Sequence, residues 1–138
     1  MDTILNNPPT LEINVEGILL ENKPLSNYDL LDAIKQLNIK NFQGVFNRDQ
    51  TPTILKGCGI INLADSMSDG THWVCYFKNL YFDSYGVPPP LEISKQIKEY
   101  NIYQIQKFGV VCGHLCLYVL KKLNDGWSFD NTIFSLLK

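Results

Sequence analysis

Phe108-Gly109-Val110-Val111-Cys112-Gly113-His114-Leu115-Cys116-Leu117-Tyr118-Val119-Leu120 sets a cysteine between glycines at the point where an apolar helix is predicted to begin. Counting from Cys112, the residues Leu115, Cys116, Val119, Leu120 and Leu123 fall on the stripe of a helix that faces a core, and Asn124-Asp125-Gly126 stops it. A cysteine that opens a helix lies beside unpaired backbone N–H groups and the positive end of the macrodipole, and both favour the thiolate. Cys112 is therefore a candidate nucleophile; the plain alternative is a small apolar residue of the core stripe. Gly113 lets a substrate carbonyl come close to the backbone. A nucleophile of this kind needs a base, an orienting acid and donors for an oxyanion.

The base must be histidine, and the chain has two. His114 lies two residues beyond Cys112 on the same helix, roughly 200° around its axis, and so points away from the thiol. His72 remains. It opens Thr71-His72-Trp73-Val74-Cys75-Tyr76-Phe77, which with Leu80-Tyr81-Phe82-Asp83-Ser84-Tyr85 reads as a hairpin turned at Lys78-Asn79. A two-residue turn pairs Phe77 with Leu80, Tyr76 with Tyr81, Cys75 with Phe82 and Val74 with Asp83. His72 and Asp83 are then diagonal neighbours on one sheet face, the arrangement of an acid that fixes the imidazole tautomer. Without the cysteine, the same pair reads equally well as two solvated side chains on a hairpin. For the oxyanion, the backbone N–H of Cys112 is one natural donor. Gln104 and Gln106 both precede the Gly109 turn, and strand alternation places them on one face without choosing between them.

The other elements frame this set. Ser26-Asn27-Tyr28-Asp29 resembles a capping box, followed by Leu30, Leu31, Ile34 and Leu37, and predicts a helix over about 27–38. Residues 42–46 and 59–63 are short apolar runs read as strands, with a loop over 47–57. Pro88-Pro89-Pro90 ends the second hairpin strand, Leu91, Ile93, Ile97 and Tyr100 suggest a helix, and 102–106 reads as another strand. A last helix is expected after Ser128, using Phe129, Ile133, Phe134 and Leu137. Residues 1 to about 25 read as an irregular arm with a short strand and no site.

With 138 residues, 45% hydrophobic and 19% charged, the chain predicts one domain. A net charge of -2 with no Lys/Arg run argues against a nucleic-acid surface. No leader pattern and no apolar run of roughly 20 residues is seen, so a soluble, intracellular, non-secreted protein is expected. The four cysteines are expected to be free thiols, with Cys58, Cys75 and Cys116 structural. A zinc site from Cys58, Cys75 and a histidine lacks any short paired spacing, and no cofactor is expected.

The order His72-Trp73, Asp83, Gln, then Cys112-Gly113 resembles the adenovirus-type and ubiquitin-like-protein cysteine proteases; papain-type enzymes run Cys before His. Within that group, the chain resembles in particular the short capsid-maturation proteases of virophages and Polinton (Maverick) elements. There, segments like Asn41-Phe42-Gln43-Gly44-Val45-Phe46, Cys58-Gly59-Ile60-Ile61-Asn62-Leu63, Gly70-Thr71-His72-Trp73-Val74-Cys75, Tyr81-Phe82-Asp83-Ser84-Tyr85-Gly86 and Cys112-Gly113-His114-Leu115-Cys116 recur in this order. The likeness covers about residues 26–137. It implies an α+β fold, a small mixed sheet packed on a central helix that presents Cys112 at its N-terminus. It implies Cys112 as nucleophile, His72 as base, Asp83 as acid and Gln106, six residues before the cysteine, as oxyanion donor. It also implies Trp73 as a cleft wall and glycine-containing cleavage sites.

By the same resemblance the substrate is a capsid or virion precursor. The enzyme is expected to be a monomer in the host cytoplasm or nucleus or inside the virion. A deconjugase of ubiquitin-like tails and a catalytically inactive binding module on the same fold are the alternatives. The chain departs from the family in two places. The adenovirus enzyme has Glu where Asp83 stands, with a longer interval from the histidine, and ubiquitin-like-protein proteases usually carry Asp where this chain has Val111. With no basic excess, the DNA and peptide activators of the adenovirus enzyme are not carried over.

Overall fold

The computed structural model describes residues 12–64, 72–106 and 109–137. Glu12–Val15 (β1) and Ile18–Glu21 (β2) form an antiparallel ribbon. Its two-residue turn, Glu16-Gly17, has positive φ at both positions (48° and 99°), which matches the twist of a tight hairpin. Residues 12–21 of the expected irregular arm thus form a hairpin, while residues 1–11 lie outside the described residues. Val15 is buried in the main core, and Lys122 pairs with Glu16 at 2.9 Å.

Asn27–Gln36 (α1) starts at the expected capping box, with the Ser26 hydroxyl accepting from the Asp29 N–H at 3.1 Å and the Asp29 carboxylate accepting from the Ser26 N–H at 2.9 Å. It ends two residues before the expected boundary, where Asn38 turns into the left-handed region at φ 57°. Its buried face is Leu30, Ala33 and Ile34, while Leu31 is exposed.

Phe42–Asn47 (β3), Cys58–Asn62 (β4), Trp73–Phe77 (β5), Leu80–Phe82 (β6) and Glu99–Tyr100 (β7) form one mixed sheet in the order β3-β4-β5-β6-β7. The outer pairs are parallel and the inner pairs antiparallel. β5 and β6 pair in the predicted register, Phe77 with Leu80, Tyr76 with Tyr81 and Cys75 with Phe82, around a turn in which Lys78 has φ 55°.

Alternation along the inner strands sends Cys58, Ile60, Trp73, Cys75 and Phe82 to one face. Cys112–Asn124 (α2) packs there across β5, with α1 beside it. The other face buries Ile61, Val74, Tyr76 and Tyr81 under Ile93. Phe129–Leu136 (α3) is capped by Ser128 and buries Phe129, Thr132 and Ile133; Phe134 and Leu137, expected in its core stripe, are exposed. The architecture is the expected α+β one.

The connection from β6 to α2 departs from expectation. No α-helix spans 91–100. The segment forms turns, a short 3-10 stretch at Ser94–Gln96, and then β7. Leu91 is 86% exposed, and Ile93 is buried against the sheet while Tyr100, seven residues on, is exposed, so no helical stripe runs through the segment. Gln96 holds the segment instead, its side chain bonding the Leu55 N–H at 2.9 Å and the Thr53 carbonyl at 3.1 Å. Nor is 102–106 a strand: the Ile105 and Gln106 N–H groups both bond the Ser84 carbonyl, at 2.8 and 2.9 Å. Gln104 is therefore exposed and Gln106 buried, against the expectation that both share one face.

Candidate active site

α2 begins at Cys112 after Val111, an N-cap with no side-chain hydrogen bond, so its first N–H groups are left to whatever lies in front of them. The Sγ of Cys112 is one such group. It accepts a hydrogen bond from the Gly113 N–H and another from His72. A third comes from the Trp73 N–H at 3.4 Å. Burial alone raises the thiol pKa, but these donors and the neighbouring imidazole outweigh it and hold Cys112 below the ordinary thiol value of 9.0.

His72 lies just before β5 and Asp83 just after β6, so the hairpin register that pairs Cys75 with Phe82 brings the two side chains together. His72 Nε2 is 2.7 Å from Asp83 Oδ1. That leaves Nδ1 as the ring nitrogen for Cys112. The carboxylate is 1% exposed and the imidazole 21%, so the acid is sealed and the base opens to the cleft. Burial lowers the imidazole pKa, yet the Asp83 bond, the Cys112 contact and their charges overcome it and push it up to about 9. Both shifts run in the direction that favours a thiolate paired with an imidazolium.

Asp83 is itself fixed. Its Oδ1 also accepts from the Tyr85 N–H at 2.8 Å. Asn101, which is buried, clamps its backbone, accepting from the Asp83 N–H at 3.0 Å and donating to the Asp83 carbonyl at 2.7 Å. The Tyr85 ring stacks on His72 with centroids 4.5 Å apart and planes at 22°.

Gln106 is buried. Its Oε1 accepts from the Ser84 hydroxyl at 2.7 Å, and its Nε2 donates to the Gly109 carbonyl at 3.0 Å, which ties the turn before Cys112. The exposed Gln104 donates to the Gln106 carbonyl at 3.1 Å instead. His114 points away from the thiol, as its helical position requires, and its Nε2 lies 2.7 Å from the Glu21 carbonyl at the end of β2.

A cleft of about 230 Å³ opens over the thiol, lined by Pro24, His72, Tyr85, Gly109, Val110 and Cys112. Trp73 is not on this lining. Its ring NH donates to the Leu25 carbonyl at 2.8 Å, and Trp73 and Leu25 line a second groove with Val45, Asn47 and Asn62. Gly113 lies beneath the cleft, where an added Cβ would stand 3.2 Å from both Leu25 and Trp73, so its smallness serves close packing of the helix start. Sequence reasoning placed no site on the arm and missed Pro24; it also missed Tyr85 and Asn101. Only Tyr85 carried a signal, being two residues from the acid on a hairpin already suspected.

Cys58, Cys75 and Cys116 are buried in the core. Burial, together with Cys75 and the nearby charges, raises the Cys116 thiol well above 9.0.

No protein-family model and no curated protein sequence matches the chain. Among solved structures it is similar to the ASFV pS273R protease crystal structure, with a TM-score of 0.60 and 16% sequence identity. The match covers 82% of this chain and 62% of that one, so the chain spans under two thirds of that protein's length. At this identity the likeness is one of fold.

Proposed function

We propose that this chain is a cysteine endopeptidase with Cys112 as nucleophile, His72 as acid and base, Asp83 as orienting acid and Gln106 as oxyanion donor. The observation that carries the reading is the Cys112 thiol at a helix N-terminus, bonded to an imidazole whose far nitrogen is 2.7 Å from a sealed carboxylate. The thiolate attacks the substrate carbonyl carbon; the C–S bond forms as the carbonyl π pair moves to oxygen. When the oxyanion collapses, the C–N bond breaks and the amine leaves with the proton from His72 Nδ1. Neutral His72 then takes a proton from water, whose oxygen attacks the thioester. Release of the carboxylate product restores the thiolate and imidazolium. The Cys112 N–H and the second hydrogen of the Gln106 amide nitrogen stabilise the oxyanion in both halves.

We take the substrate to be a capsid or other virion precursor of a virus or virus-like element, cut at glycine-containing sites by a monomeric enzyme in the infected cell or the virion. Pro24, Tyr85 and Val110 line the cleft beside the thiol, where the residues flanking the scissile bond would lie; the preference for glycine rests on the family resemblance. The segments shared with the virophage and Polinton proteases support the substrate class.

The test is labelling with a vinyl-sulfone peptide ending in glycine, followed by cleavage of a capsid-derived glycine-rich peptide beside a ubiquitin-like fusion. Labelling lost in Cys112→Ala and His72→Ala, with the capsid peptide preferred, is the expected result. Labelling that survives Cys112→Ala overturns the nucleophile. Preference for the fusion moves the enzyme to the deconjugases, and labelling without cleavage of either leaves a binding module.

A further inference from the structure

Resting on the peptidase reading, we propose that Ser84 is a positioning residue for the oxyanion amide, holding Gln106 with one amide N–H free to meet the substrate oxygen. Ser84 is fully buried, at 0% exposure, and its hydroxyl donates to Gln106 Oε1 at 2.7 Å. Its carbonyl accepts the N–H groups of both Ile105 and Gln106, at 2.8 and 2.9 Å. One residue therefore grips the backbone and the side chain of Gln106 at once.

A hydroxyl can accept as well as donate, so Ser84 alone does not set which way the carboxamide faces. The Gly109 carbonyl does: it only accepts, and it lies 3.0 Å from Nε2. With the nitrogen committed to that side, the oxygen falls to Ser84, whose O–H satisfies it. The nitrogen carries two hydrogens, and Gly109 takes one. The Ser84 O–H bond also draws electron density toward Oε1 and makes the remaining N–H a better donor.

Neighbouring residues thus serve the two halves of the machinery. Asp83 holds His72, Ser84 holds Gln106, and Asn101 clamps the backbone of Asp83 from both sides. The hydrogen bonds of Ser84 go to Gln106 and Ile105, on the oxyanion side of the site. Its loss is therefore expected to weaken the oxyanion and leave the thiolate unchanged, which a general loss of structure would not do.

The experiment is a double-mutant cycle of Ser84→Ala and Gln106→Ala on a glycine-containing fluorogenic peptide. Inhibition by a peptide aldehyde ending in glycine, and iodoacetamide alkylation of Cys112 against pH, are measured alongside. Ser84→Ala should lower kcat on the order of 10-fold with KM unchanged. It should weaken the aldehyde similarly and leave the alkylation profile in place, and the double variant should be no slower than Gln106→Ala alone. If Ser84→Ala does not fold, Ser84→Cys, close in volume and a weak donor, carries the same expectation. Losses that multiply, or a loss seen in KM or in alkylation, overturn the proposal. A wild type that cleaves the peptide and binds the aldehyde, beside a Ser84→Ala that does both equally well, overturns this inference alone. A wild type that does neither overturns the peptidase reading and the inference with it.

Discussion

Cys112 and Cys116 stand one helical turn apart on α2, both buried, yet their thiols are pushed in opposite directions. Burial raises both. At Cys112 the His72 ring and the N–H groups of Trp73 and Gly113 more than offset it. At Cys116 the closest polar partner is another thiol, Cys75, which adds to the rise. Four residues along a helix carry the side chain from a rim supplied with donors to a core with none to spare. Both thiols are nearly closed to solvent, 7% exposed at Cys112 and 0% at Cys116, and the opposite pKa directions follow the donors that each one meets.

The comparison breaks most decisively if the two cysteines can exchange roles. Cys112→Ala should lose peptidase turnover on the order of 10⁴-fold or more, the scale for removing a nucleophile from a concerted set. Cys116→Ala should keep turnover within about threefold and lower stability by roughly 1–2 kcal/mol, the ordinary range for a small buried truncation, read by urea unfolding. A Cys116→Ala enzyme as dead as Cys112→Ala would show that the two thiols are not separable.

Asp83→Asn comes next in size. It keeps the shape but removes the charge that steadies the imidazolium, and the expected loss in kcat is roughly 10²- to 10⁴-fold. Two pH limits accompany it. Thiolate forms above the lowered pKa of Cys112, and the proton that His72 must give to the leaving amine is lost as pH rises through about 9. Wild-type turnover should therefore fall on the alkaline side near pH 9, and that limb should move down in Asp83→Asn. The same shift bears on stability. Because the folded value of about 9 lies above the ordinary 6.5, the contribution of His72 is complete below pH 6.5 and lost as pH rises through 9.

Gln106→Ala should cost about 100-fold in kcat with the thiolate unaffected, as for oxyanion donors generally. His114→Phe should be the mildest: it removes only the tie to the Glu21 carbonyl, so a melting temperature a few degrees lower is expected with normal alkylation of Cys112. Abolished alkylation would mean that the second histidine reaches the thiol after all.

What was legible in the chain was local or strongly periodic. The α2 stripe, the Ser26 capping box and the Lys78-Asn79 turn each carry their own rule, and hairpin parity was enough to bring His72 to Asp83. The 83–111 connection was not legible because its geometry depends on distant partners. Gln96 reaches back to Thr53 and Leu55, Asn101 to Asp83, and the Gln106 amide to Ser84, and none of these bonds leaves a periodic trace. That Gln106 is buried and Gln104 exposed, which alternation left open, follows from the Ser84 carbonyl drawing two successive N–H groups inward. Pro24 reached the cleft unannounced because Trp73 holds the Leu25 carbonyl, a contact 48 residues apart.

The most direct test of the central claim, that Cys112 is an activated thiolate, is alkylation by iodoacetamide across pH 5–10 with each cysteine followed by peptide mass spectrometry. Cys112 should react first among the four, its rate should begin to rise below pH 9, and His72→Ala should move this rise up toward 9. A Cys112 that reacts no sooner than the buried thiols, or whose profile ignores His72→Ala, would contradict it.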